Sequence, residues 1–543
     1  MTSPLFSRTV TVFALLLAVP VLVVLGSLLT PQPELWAHLL DTVLADYVTN
    51  SLLLALGVGV LSAGIGTLMA WTVARYQFVG RSVVQWLLLL PMAIPAYIMA
   101  YSYTGLLDFA GPVQSQLRLW FDWSYGDYYF PEIRSLPGAI LMLSLVLYPY
   151  VYMLARTAFR QQSSSLLEAS RTLGLTPRQH FWKVALPVAR PAILTGAALA
   201  MMEALADYGT VQYFGVTTFT TGIFRTWFGM GNQLGAAQLS ALLCSFVLLL
   251  LYLEQWSRRK LKFYQQGQKQ QEPTRQPLTG VAGLALLLLC LLPVLLGFVL
   301  PALQLLGWAS DRLNQLFSPD FIQLLINSFS LAALTALVTA SLALCFAYAK
   351  RLSGHWSLAL PVRIASMGYA LPGTVIAIGV MLPLAALDNS IDLWAEQQFG
   401  IRTGLLLSGT LVALVLAYTV RFIAVALHSV EAGLMQITPS MDNAARSLGE
   451  SPVGVLKRVH LPLLRASVLS ALLLVFVDVL KELPATLLLR PFNFNTLSVR
   501  TYELASDERL ADAALPALAI VLIGLIPVIL LSRALDRSNR GAK

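Results

Sequence analysis

The sequence predicts an all-α polytopic membrane protein, with about twelve transmembrane helices in two parallel six-helix repeats. Composition is the first ground. The 543 residues are 57% hydrophobic and only 12% charged, with mean hydropathy +0.72, where a soluble domain carries roughly 25% charged residues. The second ground is that apolar runs of about 20 residues, the length that crosses hydrocarbon as a helix, recur along the chain. The third is that features of the first half return in the second at a nearly constant offset.

The runs lie near residues 10–29, 51–73, 83–106, 138–154, 188–205 and 239–253, and again near 278–306, 322–349, 358–384, 405–426, 466–480 and 513–531. They are continuous, whereas barrel strands alternate, so helices are expected. Residues 9–29 follow Arg8 and lack a clear small-x-small cleavage site, which favours an uncleaved first span over a signal peptide. Cys244, Cys290 and Cys345 each sit inside an apolar run, as small hydrophobes do.

The net charge of +9 is spread through short loops. Nucleic-acid binding would gather it on one face. Basic residues follow the even-numbered spans: Arg75 and Arg81, Arg156 and Arg160, Arg258 to Lys262, Lys350 and Arg351, Arg446 to Arg465, and Arg533 to Lys543. The opposite loops hold Asp122, Asp127, Glu132, Asp388, Asp392 and Glu396. The positive-inside rule then puts both termini in the cytoplasm. Asn50-Ser51 and Ile94-Pro95 match Asn327-Ser328 and Leu371-Pro372 at an offset of 277. Six spans per unit make the repeat parallel. The expected organisation is a first half over 1–256, a polar glutamine-rich linker over 257–277, and a second half over 278–543. Pro95 and Pro372 are expected to be packing kinks.

Two polar, basic stretches after the fourth and tenth spans repeat each other at an offset of 275. One holds Glu168, Ala169, Ser170, Gly174, Leu186 and Pro187; the other holds Asn443, Ala444, Ala445, Gly449, Leu461 and Pro462. Ser163 to Ser165 can cap a short helix, Gly174 can stop it left-handed, and Thr176-Pro177 can start a second, amphipathic helix. Thr438-Pro439, Gly449 and Ser451-Pro452 do the same in the second stretch. These are two handles on the cytoplasmic side.

At these residues the chain resembles the ABC importer permeases. Their signature loop reads Glu-Ala-Ala, three residues, Gly, nine residues, Ile-x-Leu-Pro. Here it becomes Glu168-Ala169-Ser170, Gly174 and Val184-Ala185-Leu186-Pro187, then Asn443-Ala444-Ala445, Gly449 and Val459-His460-Leu461-Pro462. The resemblance implies the type I, MetI-like permease fold and a coupling helix that docks on a separate ATPase. Ser170 and Asn443 depart from the pattern, and Asn443 removes a charge. Within the family the fused plan is most similar to the ferric iron permeases, through Asp478 to Thr486 and its counterpart Glu203 to Thr210. Fused thiamine and phosphonate permeases share the plan, so those cargoes stay open.

No Gly-x4-Gly-Lys-Ser/Thr loop is present, so ATP and Mg are expected on the partner and no cofactor on this chain. No catalytic residue is expected. His38, His180, His355, His428 and His460 are scattered and read as surface or interface residues rather than ligands. Glu203 and Asp207 are four apart, as are Asp478 and Glu482, so each pair shares a helix face. A charge at mid-bilayer costs about 2.5–3.5 kcal/mol. These four, with Tyr208, are candidates for an acidic translocation path; the competing reading puts them at wet span ends. No tight metal site is expected, because conduction needs weak binding.

The function expected is the transmembrane permease of an ABC importer in the bacterial inner membrane, passing a cargo, ferric iron above others, from a soluble binding protein. Its expected partners are two copies of an ATP-binding subunit, that binding protein and the bilayer, with no nucleic acid. A major-facilitator-type secondary transporter also has twelve spans in parallel halves, but has no need of matched handles.

Overall fold

The computed structural model describes residues 4–124, 126–162, 170, 172–259, 275–353 and 356–540. Among these, 11 helices are long and apolar enough to cross a membrane, or 12 if one bent pair counts as a span. In order they are Arg8–Leu29, Leu44–Arg75, the bent pair Arg81–Ala93 with Ala96–Phe121, Leu136–Gln161, Pro177–Ala206, Gln233–Trp256, Gly280–Ser310, Pro319–Leu352, Gly373–Phe399, Leu411–Leu434, Pro452–Lys481 and Leu510–Leu530. The ordinals of the sequence runs carry over to these spans.

Pro95 and Pro372 do more than kink a helix. Proline lacks an N–H and drives the preceding residue out of the helical region. Ile94 is extended (φ −94°, ψ 120°) and Leu371 likewise (φ −91°, ψ 142°). Each follows a 3₁₀ turn, and a new helix begins after the proline. In the third span the two pieces meet at 92°. The ninth span begins at its proline and runs on to Phe399, past the expected end. Asp388 and Asp392 therefore ride on a helix. The buried Asp388 carboxylate accepts from Leu407 N (3.0 Å), Ser408 N (2.7 Å) and Ser408 Oγ (2.6 Å), tying down the next loop.

The chain forms two compact units. One gathers Met1–His38, Gly222–Cys244 and Asn314–Arg500; the other gathers Leu39–Thr221, Ser245–Leu313 and Thr501–Lys543. The first span thus packs with spans of the second half, against Trp356–Ala365 and Gly373–Phe399. Likewise the seventh packs with helices of the first half, against Arg81–Leu87 and Ala96–Leu107. Repetition along the chain and packing in space follow different boundaries.

In the second unit, spans two, four and five close on small residues. A Cβ on Gly66 would lie 2.7 Å from Val151 Cβ, and one on Gly196 would lie 2.6 Å from Val151 Cα. Within lipid, where apolar burial gives helices little reason to associate, such backbone approach supplies the packing. The same unit holds a short parallel pairing of Tyr76–Gln77 with Gln276–Pro277. Leu278 N donates to Gln77 O (2.8 Å) beside it.

The repeat is also written in hydrogen bonds. Asn50 Nδ2 donates to Thr217 O (2.9 Å), and Ser51 Oγ accepts from Phe219 N (3.1 Å). In the other unit Asn327 Nδ2 donates to Asn495 O (3.1 Å), and Ser328 Oγ accepts from Leu497 N (2.8 Å).

Candidate functional site: two handles and two capped span ends

Glu168 and Ala169 lie outside the described residues, as do the serines proposed to cap them. From Ser170 onward the first handle is built by local rules. Leu175 N donates to Ser170 O (3.0 Å). Gly174 lies between them at φ +72°, with open space around it. Only glycine adopts this conformation without strain. Thr176 and Gln179 then form a capping box, each side chain accepting from the other's backbone N–H (3.3 and 3.0 Å), with Pro177 at the first turn.

The helix beginning at Pro177 continues unbroken to Ala206. Phe181–Ala185 widens into a π turn. Pro187, having no N–H to bond back, accounts for the local change of pitch. The second handle does the same: Gly449 at φ +85°, Ser451 Oγ accepting from Gly454 N (3.1 Å), a π turn over Leu456–His460, and one helix over Pro452–Lys481. The expected second amphipathic helix is thus the handle-side end of the fifth or eleventh span itself. A force on either handle passes directly into a membrane span.

Each handle also has a latch that the sequence reading missed. In the first, Ser170 Oγ and His180 Nδ1 lie 2.8 Å apart, both buried. In the second, the helix Pro439–Ser447 buries Asp442, whose carboxylate accepts from His460 Nε2 (2.6 Å) and Arg351 Nε (2.9 Å). Arg351 also donates to Leu434 O (2.7 Å) and Ile437 O (2.8 Å). It joins the eighth span to the end of the tenth and to the handle helix. Tyr348 OH donates to Pro452 O (2.5 Å), with its ring centroid 5.4 Å from that of His460.

Burial pushes the Asp442 carboxyl up. The hydrogen bonds from Arg351 and His460, with the Arg351 charge, outweigh that and hold it below the ordinary carboxylate range. His180 and His460, expected as surface or interface residues rather than ligands, are buried at the joint between handle and span. In the second handle His460 reaches back to the short helix Pro439–Ser447 through Asp442. Ala445 is buried with Asp442, while Asn443 and Ala444 are exposed. Leu173 and Leu448, each just before its glycine, are 80% and 86% exposed.

At the far ends of the fifth and eleventh spans, Asp207 and Glu482 do the same structural work. Both are extended at the helix end (ψ 133° and 124°). Asp207 accepts from Thr210 N (3.0 Å), Val211 N (3.1 Å) and Thr210 Oγ1 (3.1 Å). Glu482 accepts from Ala485 N (3.1 Å), Thr486 N (3.2 Å) and Thr486 Oγ1 (3.2 Å). Each carboxylate caps the short helix that follows, Gly209–Tyr213 or Pro484–Leu489.

The carbonyls of the two residues accept in parallel, from Thr220 Oγ1 (2.7 Å) and Ser498 Oγ (2.8 Å). Glu482 differs in also pairing with Arg421 (3.3 Å), both nearly buried. Gly373 makes room for that pair, since a Cβ there would collide with Arg421 Nη1 and Glu482 Oε1. Glu203 and Asp478, one turn earlier, are half-buried. Tyr208 is buried and stacks at a tilt on Tyr502 (5.9 Å). Among the described residues no three His, Cys, Asp or Glu side chains are grouped to hold a metal ion.

A family model described as "Binding-protein-dependent transport system inner membrane component" matches residues 62–262. The Fe(3+)-transport system permease protein FbpB 2 of Haemophilus influenzae is 27% identical over 495 residues, 90% of this chain and 90% of that protein. The ferric transport system permease protein FbpB of Actinobacillus pleuropneumoniae is 23% identical over 468 residues, 81% of this chain and 64% of that protein. The molybdenum transport system permease protein ModB of H. influenzae is 27% identical over 227 residues. That alignment covers 96% of ModB but 40% of this chain.

Proposed function

We propose that the chain is one of the inner-membrane components of binding-protein-dependent transport systems, and that it is the fused two-half permease of an ABC importer carrying ferric iron into the cytoplasm. The reading is supported by the family model over residues 62–262 and by a relative 27% identical over 90% of the chain. It is a multi-pass inner-membrane protein. Membership implies a substrate-binding protein and an ATPase as partners. The observation that carries the reading is the pair of matched handles, each broken at a positive-φ glycine and each continuous with a span.

Iron is the cargo for which the relatives aligned over most of the chain are named. Two ATP-binding subunits, one per handle, supply the energy. The exposed Leu173 and Leu448 give each an apolar contact, beside the exposed Asn443 and Ala444 in the second handle; Glu168 and Ala169 are the matching positions of the first by sequence. Both termini lie in the cytoplasm, as the basic residues after even-numbered spans favour.

Glu203, Asp207, Tyr208, Asp478 and Glu482 shape the route. Asp207, turned to backbone N–H groups, lends negative potential without closing on the cation, whereas the charge of Glu482 is offset by Arg421. Glu203 and Asp478 sit one turn along the same helix faces.

The test is reconstitution in liposomes. The chain alone neither hydrolyses ATP nor accumulates iron; with the ATPase and an iron-loaded binding protein it does both. ATP hydrolysis by the isolated chain, or uptake driven by an ion gradient alone, overturns the proposal. Uptake of molybdate in place of iron overturns the cargo and leaves the machine.

A further inference from the structure

We propose that the helix Pro112–Phe121, between the third and fourth spans, is an interfacial anchor whose apolar outer face lies in the lipid bilayer. It follows the helix Ala96–Leu107 after a short break, and the fourth span begins soon after it at Leu136. It therefore stands at a membrane boundary, at the end of the fourth span opposite the first handle.

The polarity of this helix is inverted. Its polar side chains turn to the protein. Gln114 is buried; it donates to Leu107 O (2.8 Å) and accepts from Tyr128 OH (2.7 Å). Arg118 donates to Tyr128 OH (2.9 Å) and to Phe109 O (2.9 Å), with its guanidinium carbon 4.2 Å from the Phe109 ring centroid. This inner face walls a cavity of about 650 Å³ that Arg134 and Glu508 also line. The outer face carries Val113, Gln116, Leu119 and Trp120, of which Leu119 and Trp120 are 76% and 72% exposed. Phe121, also exposed, stacks on Trp123 (4.6 Å), and Trp123 stacks on Tyr128 (5.3 Å). A helix at a water surface does the reverse, burying its apolar stripe and leaving its polar face to solvent.

An exposed apolar patch of this kind marks a partner. Three observations make that partner the bilayer. The helix continues a membrane span. Trp120 and Trp123 have the amphipathic ring that settles at headgroup level. The outer face has the leucine and aromatic residues that interfacial helices sink into the headgroup and acyl boundary. A soluble protein that comes and goes would leave this face in water between visits, whereas lipid covers it throughout. The other repeat ends its post-proline helix, Gly373–Phe399, in the same manner. Trp394 and Phe399 are 58% and 64% exposed, with ring centroids 5.5 Å apart. The nearby carboxylates turn to the protein, Asp392 accepting from Thr403 N (2.6 Å) and Glu396 from Arg402 Nε (3.0 Å).

The experiment uses the full chain in phosphatidylcholine liposomes, with a nitroxide on L119C or W120C. Both are made in a C345S background, since Cys345 is exposed while Cys244 and Cys290 are buried. Collision of the label with oxygen, which concentrates in hydrocarbon, is compared with collision with a water-soluble nickel chelate. Both labels should favour oxygen and sit about 5–10 Å inside the headgroup boundary. Preference for nickel at both positions overturns the anchor. Nickel access that is lost only when an iron-loaded binding protein is added overturns lipid as the occupant and gives the face to that protein. Should the cysteine variants fail to fold, the unsubstituted chain is labelled from within the bilayer by a lipid-soluble carbene reagent and mapped by mass spectrometry. Modification at Leu119, Trp120 or Phe121 is expected; modification of the spans with none at these three overturns the proposal.

Discussion

Asp442 and His460, eighteen residues apart on either side of Gly449, are joined at 2.6 Å inside the second handle. The bond closes the glycine-broken loop on itself, and Arg351 on the opposite carboxylate oxygen anchors it to the eighth and tenth spans. Removing Arg351 would leave a nearly buried carboxylate short of its counter-charge and the Ile437 carbonyl without its guanidinium donor, while Leu434 O keeps the Ile437 N–H (3.1 Å). R351M is expected to destabilise this region by about 3 kcal/mol, the lower end for breaking a buried pair. Limited proteolysis of the loop around 438–452 checks it, with transport per ATP hydrolysed falling in parallel.

The same latch gives a pH dependence. Its carboxyl is held below the ordinary value of about 3.9. The stabilisation is therefore fully present above that value and is lost as pH falls through the lower, folded-state value. Acid titration of handle opening, read by a fluorophore at an introduced cysteine, should show a transition below about pH 4. D442N should flatten it. A transition that survives D442N belongs to another group.

Gly174 and Gly449 stand in open space at φ +72° and +85°, so a methyl group there costs backbone strain and nothing else. G174A and G449A should each cost about 1–2 kcal/mol locally. Proline, with φ fixed near −65°, should uncouple ATP hydrolysis from transport while leaving the protein inserted. E168K should impair coupling more than N443K, because Asn443 has no charge to reverse. Equal losses in the ratio of transport to ATPase activity would remove that asymmetry.

The two capped span ends predict the opposite ranking. D207N removes charge from a cap, a change worth about 1 kcal/mol. E482Q does the same and also leaves Arg421 unpaired where it is nearly buried, so it should cost about 3 kcal/mol or more. G373A should resemble E482Q, since its Cβ displaces the same pair. Thermal unfolding gives the order. If the path also uses these charges, D207N/E482Q slows iron uptake per intact complex; a full rate per complex leaves them as caps alone.

Much of this was legible because the repeat is a sequence property. Asn50 and Asn327, Asp207 and Glu482, and Gly174 and Gly449 could be matched by spacing before any contact was known. What spacing could not reveal is which partner answers each group. The role of Asp207 and Glu482 as caps depends on the chain turning at ψ near 130°, which two carboxylates four residues apart do not announce. Arg351 reads as one more positive-inside residue until Leu434, Ile437 and Asp442 are seen around it. The burial of His180 and His460 was not legible, since polarity suggested a surface or an interface and did not say which, whereas both sit inside a continuous helix that runs on into a span. The breaks at Pro95 and Pro372 were underestimated as kinks, since a lone proline does not tell whether the chain bends within a helix or leaves it.

The pairing of Tyr76–Gln77 with Gln276–Pro277 makes the long connection between halves dispensable as a ruler. Main-chain bonds, including the one from Leu278 N to Gln77 O, join side-chain packing in registering the start of the seventh span against the end of the second. Where the join before Arg275 is cut, lengthened or replaced, that docking point stays with the downstream piece. The gene could therefore be broken there into two separately translated polypeptides that find each other in the membrane.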